Sequence, residues 1–188
     1  MRDDILEYIQ KDVYERSIKP SNKFGIGCYY HIVAVVKNGE LLAERYGADK
    51  EVVAIASWLH DIASITDYSM YENHHIYGAE IAKQILAEFD YEPEKIELVQ
   101  KCIRSHRGSV YLKRLSLEEK CVADADAISH FDSIPSLLYL AYVEKRMNIQ
   151  DGIDFVKSKL ERSYEKLSEE SKVYYQEKYQ QGMALLTI

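Results

Sequence analysis

Proline occurs only at positions 20, 93 and 135, and each falls between stretches whose apolar residues recur at helical spacing. Proline lacks a backbone N–H and has a fixed φ, so it punctuates helices more readily than it continues them. "DDILEYIQKDVYERSI" carries a first apolar stripe and stops before Pro20. "CYYHIVAVVKNGELLAERYG" resumes the stripe and ends near Gly47. Asp49 is placed to cap "KEVVAIASWLHDIASI", whose apolar content predicts a buried helix. After the polar loop "TDYSMYEN", the segment "HHIYGAEIAKQILAEF" sets Ile76, Ala79, Ile81, Ala82, Ile85 and Leu86 along one broad face. Pro93 starts "EKIELVQKCIRSH", the favoured helical position for proline. Ser116 and Glu119 form a capping-box pattern at the head of "SLEEKCVADADAISHF". Pro135 opens "SLLYLAYVEKR", and a polar, tyrosine-rich segment runs from Asp151 to about Met183. No alternation of period two lasts long enough to suggest a sheet. The pattern predicts one all-α domain over residues 1–188, with about seven or eight helices.

Composition narrows the class of partner. The chain is 47% hydrophobic and 29% charged, as in soluble globular proteins. A net charge of -7 argues against broad nucleic-acid binding or attachment to anionic membranes, while leaving room for a small anionic substrate at a locally cationic or metal-bearing site. "MRDDILEYIQKDVYE" is charged and amphipathic, unlike a signal peptide, and no apolar run reaches the ~18 residues of a membrane span. Cys28, Cys102 and Cys121 are widely spaced without a CxxC, which reads as reduced thiols in a cytoplasmic protein. Of the 16 tyrosines, Tyr164, Tyr174, Tyr175 and Tyr179 are expected to pack the last helix or a homodimer partner.

The segment "ASWLHDIASI" sets His60 and Asp61 inside an apolar run, where ionisable groups are costly unless paired or bound to a metal. The other histidines are few: His31 in an apolar stripe, His74 and His75 at a helix start, His106 at a helix end, and His130. Asp126 lies in "ADADAISHF". Any one of these is ordinarily a hydrogen-bonded core residue or a cap. Together, five helical segments each bring an imidazole or carboxylate toward an apolar face, and one or two divalent metals would satisfy them all. Imidazole and carboxylate suit Fe, Mn, Zn and Ni, with Mg less suited to imidazole. Adjacent helical residues point about 100° apart, so His60 and Asp61 share a metal only where helices converge.

The order H…HD…H…H…D on a run of helices resembles the HD-domain superfamily of metal-dependent phosphohydrolases. The resemblance rests on "WLHDIA", an upstream helical His31, "HHIYGAEIAKQIL", "IRSHR" and "DADAISHF", and covers a metal-binding core of roughly residues 26–132 with flanking helices outside it. It implies His31, His60, Asp61 and Asp126 as the minimal metal set, with His74 and His106 for a second metal or the substrate phosphate. Asp126 is taken as the second acid of "DAD" on the reading that a helix starts there. Spacing to Gly78 selects His74, with His75 as the alternative. The implied cofactor is one or two divalent ions (Mn, Fe, Ni, Zn, Co or Mg), and the implied substrate is a small phosphoester, a nucleotide among them. Asp61 would link metal and attacking water, and Arg107, beside His106, would bind phosphate. His130, one turn beyond Asp126, shares its face. The chain departs from the family at Ser64, where many members carry lysine, and it lacks the acidic pair of alarmone hydrolases. Two other activities fit the same ligand order: an HD-fold di-iron oxygenase, and a non-catalytic metal-binding module.

Overall fold

The computed structural model describes residues 1–108 and 113–187, and among them the chain is helical with no strand. In order come α1 (Asp3–Ser17), α2 (Gly27–Tyr46), α3 (Lys50–Leu59), α4 (Ile62–Thr66), a 3-10 turn (Tyr68–Asn73), α5 (His74–Glu88) and α6 (Pro93–Ser105). After the segment that follows α6 come α7 (Leu117–Asp132), α8 (Ile134–Tyr139), a π-helical turn (Leu140–Glu144), α9 (Ile149–Lys166) and α10 (Glu169–Leu185). Separate counting of short pieces such as α4 and α8 takes the number of helices above the seven or eight expected.

The helix ends follow local chemistry. The Asp49 carboxylate accepts from the backbone N–H of Glu51 and Val52 at 2.9 and 3.1 Å. Ser116 and Glu119 close a reciprocal capping box on α7. Gly47 ends α2 in the left-handed region at φ 74°.

Helix α3 is buried from Val52 through Leu59, as its all-round apolar composition requires. It packs against α2, α6 and α7, while α2 also lies along α7. Ile32, Val35 and Leu42 of α2, Ile55 and Leu59 of α3, Ile103 of α6 and Ile128 of α7 meet in one core with at most 1% exposure. Where α2 crosses α3 the helices come close. A Cβ on Gly39 would stand 2.7 Å from Ser57 Oγ and 3.1 Å from Val53 Cγ1. Helices α9 and α10 close the other side of α7.

Two expectations need correction. "KEVVAIASWLHDIASI" is not one helix: α3 ends at Leu59, and Asp61 leaves helical geometry at φ -110°, ψ 13° before α4 begins. Hydrophobic periodicity cannot reveal such a break when both sides are apolar. Asp126 also lies within α7, not at a helix start.

The C-terminal tyrosines largely pack, as expected. Tyr164 stacks on Tyr179 at 4.3 Å, Tyr179 leans on Phe131, and Tyr175 is partly buried against the core. Tyr174 is exposed, with the Arg45 guanidinium 4.1 Å above its ring. Cys28, Cys102 and Cys121 are free. Among the described residues no helix is long and apolar enough to cross a membrane.

Candidate metal centre

The break after α3 is what gathers the site. With the backbone turning between His60 and Asp61, the two side chains meet one locus instead of diverging around a helix. His31 arrives from α2, His74 from the first residue of α5, His106 from the C-terminal end of α6 and Asp126 from α7.

Hydrogen bonds aim the rings. The Nδ1 of His60, His74 and His106 lies 2.8, 2.8 and 2.6 Å from the carbonyl oxygens of Ser57, Tyr71 and Ile103. A carbonyl only accepts, so each Nδ1 carries the proton and each Nε2 keeps a lone pair. His31 reaches the same state by a relay. Ser129 Oγ donates to the Asp126 carbonyl at 2.7 Å and so accepts from His31 Nδ1 at 2.9 Å.

The four Nε2 atoms then converge with the two carboxylates. His31 Nε2 and His60 Nε2 are 3.3 Å apart, and His74 Nε2 and His106 Nε2 are 3.2 Å apart. Asp61 spans both pairs. Its Oδ2 is 3.4 Å from His60 Nε2 and 4.0 Å from His31 Nε2, while its Oδ1 is 3.5 Å from His74 Nε2 and 3.9 Å from His106 Nε2. Asp126 Oδ1 joins the first pair at 3.3 Å from His31 and 3.9 Å from His60. Two lobes result: one around His31, which groups with His60 and Asp61 on one side and with Asp126 and His130 on the other, and one with Asp61, His74 and His106.

This donor set fits divalent metal. Nitrogen lone pairs facing each other at such distances repel unless a cation lies between them, and neutral imidazole with carboxylate is a donor set for Fe, Mn, Zn and Ni. Without metal, a proton can serve at His60. Burial opposes its charged form, but Asp61 and Asp126 outweigh burial and raise its pKa. Burial likewise opposes ionisation of Asp61, yet His60, His74 and His106 pull its pKa well below the usual carboxylate range. His106 is driven well below an ordinary histidine by burial and by neighbouring His60. The Asp61 side chain is 29% exposed while His60 is fully buried, so the centre opens to solvent at Asp61.

Other sequence candidates fall around this centre. His75 is buried, its Nδ1 has no hydrogen-bond partner among the described residues, and its ring lies 5.8 Å from that of His74, outside both lobes. His130 stacks on His31 at 4.7 Å, and one of its ring nitrogens lies within 4.8 Å of donor atoms of His31 and Asp126. Its Nδ1 sits 3.1 Å from Ser163 Oγ, and burial together with Lys159 depresses its pKa. The Arg107 guanidinium bonds the Glu72 carbonyl, and its Nη2 lies 4.0 Å from the Glu72 carboxylate. Arg104 pairs with Glu80 at 2.7 Å.

Two further groups escaped the sequence reading. Ser129 orients His31, and Lys166 at the end of α9 places its ammonium on Asp126 Oδ2. Ser129 lies three residues after Asp126, a spacing that helical geometry could have exposed. Lys166 belongs to a polar helix with no local mark that sets it apart from its neighbours.

The HD domain family model matches residues 28–130. An uncharacterized protein of Clostridium beijerinckii is 31% identical over 103 residues, 54% of this chain and 66% of its own. Ribonuclease Y of Clostridium kluyveri is 31% identical over 112 residues, 60% of this chain but 20% of its own, so the chain spans about a fifth of that relative. Two solved structures share the fold at low identity. Lin1889 of Listeria innocua superposes with a TM-score of 0.69 at 18% identity, covering 99% of this chain and 93% of that one. Bacillus subtilis YpgQ, solved in complex with ADP, gives 0.65 at 17%, covering 96% and 91%.

Proposed function

Because this chain belongs to the HD-domain family, we propose that it is a metal-dependent phosphohydrolase acting on a small phosphoester of the nucleotide class. One observation carries the reading: four imidazole Nε2 atoms and two carboxylates converge, with the two oxygens of Asp61 divided between two histidine pairs. The metal-binding core is taken as residues 26–132, completed by the flanking helices into a single domain. His31, His60, Asp61 and Asp126 would hold one ion, and Asp61, His74 and His106 a second.

A bound divalent ion would lower the pKa of water and polarise a phosphoryl oxygen. The protein's own groups do the rest. Nδ1 hydrogen bonds hold the rings with their lone pairs inward, sparing reorganisation at the moment of reaction. Asp61, partly exposed, would link the held ion to the attacking water. Arg107 offers a guanidinium to the phosphate. The three thiols, free and without a CxxC pattern, fit a cytoplasmic protein.

The nucleotide class draws support from YpgQ, a protein of the same fold solved with ADP, and the name Ribonuclease Y adds RNA to the substrates worth testing. The test is metal analysis of the purified protein combined with phosphate release from mono-, di- and triphosphate nucleotides, an aryl phosphate and short RNA under Mn, Co, Ni, Fe and Mg. Metal-dependent release from a nucleotide, abolished by Asp61→Asn, is expected. No turnover on the panel would overturn the reading. Two bound irons with dioxygen consumption would replace it with oxygenase chemistry.

A further inference from the structure

Lys166 lies beyond the segment matched by the family model, yet its ammonium reaches the centre. Its side chain is 8% exposed, and its Nζ bonds Asp126 Oδ2, while Oδ1 of the same carboxylate is the oxygen nearest His31 and His60. An ammonium is rarely taken out of water unless a specific partner repays it.

The approach is built from several sides. A Cβ on Gly108 would stand 2.8 Å from Lys166 Cδ and 3.4 Å from its Cγ, so the glycine two residues past His106 leaves the groove in which the lysine stem lies. Arg114 Nη1 donates to the Lys166 carbonyl at 3.2 Å and lies 3.9 Å from Asp124 Oδ1. The Ser168 N–H donates to Asp124 Oδ1 at 3.1 Å, and its hydroxyl bonds Oδ2 of the same side chain. The junction of α9 and α10 is thereby tied to α7 two residues before Asp126.

Packing alone would be served by an apolar side chain. Neutralising Asp126 alone explains the metal-free protein but not the loaded one. With ions held by His31, His60, Asp61, Asp126, His74 and His106, the two carboxylates would already face divalent charge, and the lysine would add positive charge to a centre in excess of it. Such a centre is matched to a polyanion.

We propose that Lys166 is a phosphate-binding residue: it limits Asp126 to a single inward oxygen and gives its remaining N–H donors to an oxygen of the phosphate held at the centre. This rests on the phosphohydrolase reading and assigns part of its anion recognition to a helix outside the matched segment.

The test titrates inorganic phosphate into Mn²⁺-loaded protein by calorimetry, with metal content and melting temperature measured on the same samples. One charge-assisted hydrogen bond corresponds to a change of about tenfold or more in affinity. Lys166→Met should therefore keep its metal and bind phosphate about tenfold more weakly. Gly108→Ala, which leaves the ammonium chemically intact but displaces its stem, should weaken phosphate in the same direction by a smaller factor.

Phosphate affinity within about twofold of the unmodified protein in Lys166→Met would overturn the proposal, since it lies far below the loss of one such bond. Loss of metal in step with phosphate would also overturn it, leaving the lysine a support for Asp126 alone. If Lys166→Met does not fold, unchanged phosphate affinity in Gly108→Ala is decisive against it. Failure of the unmodified, metal-loaded protein to bind phosphate would defeat the phosphohydrolase reading itself, and this inference with it.

Discussion

Gly39→Ala tests how closely α2 and α3 must approach for the centre to form. Alanine is the better helix former by about 1 kcal/mol, so propensity alone makes the change stabilising. The new methyl, however, would stand 2.7 Å from Ser57 Oγ and 3.1 Å from Val53 Cγ1, in a region where Ser57 has no exposure. Overpacking of this kind costs about 1–3 kcal/mol, so the net expectation is a loss of about 0–2 kcal/mol. Ser57 Oγ has no hydrogen-bond partner among the described residues, so Ser57→Ala removes an unpaid desolvation and should stabilise by up to about 1 kcal/mol. In the double variant the worst overlap disappears. It should exceed the sum of the single changes by about 1 kcal/mol or more, because the two sites touch.

Urea unfolding of the metal-free protein measures all four corners of this cycle. Metal affinity supplies a second readout. Gly39→Ala pushes apart helices whose His31 and His60 Nε2 atoms are 3.3 Å apart, so affinity should drop in the single variant and recover in the double. Additive stabilities, or a single variant as stable as propensity alone predicts, would refute the reasoning.

Three further outcomes follow from the centre and its surroundings. A divalent ion at about 100 times its dissociation constant adds about 2.7 kcal/mol. At about 2–4 °C per kcal/mol for a domain of this size, that is a melting-temperature rise of about 5–10 °C, which EDTA should reverse and His60→Ala or Asp61→Asn should abolish in scanning calorimetry. Ser129→Ala removes the acceptor that fixes the His31 tautomer and should weaken metal about 10–100-fold with little change in melting temperature, a split measurable by competition with a chromophoric chelator. Burial pushes the Cys121 thiol up to about 12. A thiol with a raised folded pKa gives stability that is intact below its unfolded value of about 8.5 and lost as pH climbs through the folded one. Native Cys121 should accordingly resist iodoacetamide at pH 8.5 but react in urea, and rapid native labelling would contradict its buried placement.

Features governed by neighbouring residues were legible from the sequence. Asp49 and Ser116 cap helices because cap chemistry acts over three residues, and α3 is buried because its composition admits no polar face. The residues of the recurring motif order, His31, His60, Asp61, His74, His106 and Asp126, come together in donor groups that overlap at His31 and Asp61. The break at Asp61 was hidden, since apolar residues on both sides carry the pattern across it. Spacing to Gly78 selects His74 over His75, but the Tyr71 carbonyl that turns the His74 ring inward is visible only in the structure. Lys166 lay out of reach because its partner is 40 residues away in an unrelated stretch of helix.

The way the rings are aimed bears on how such a centre withstands divergence. His60, His74 and His106 are each oriented by a carbonyl three residues earlier in their own turn. Backbone atoms do not change with the residue, so these three directions travel with the local chain conformation and survive replacement of almost any side chain around them. His31 is the exception, since its direction depends on a hydroxyl 98 residues further along the chain. The pair His31 and Ser129 can therefore drift only together, whereas each of the other three can be inherited alone. A centre with most of its aim stored this way can persist while the surrounding sequence turns over, and covariation between relatives should concentrate at that one long-range pair.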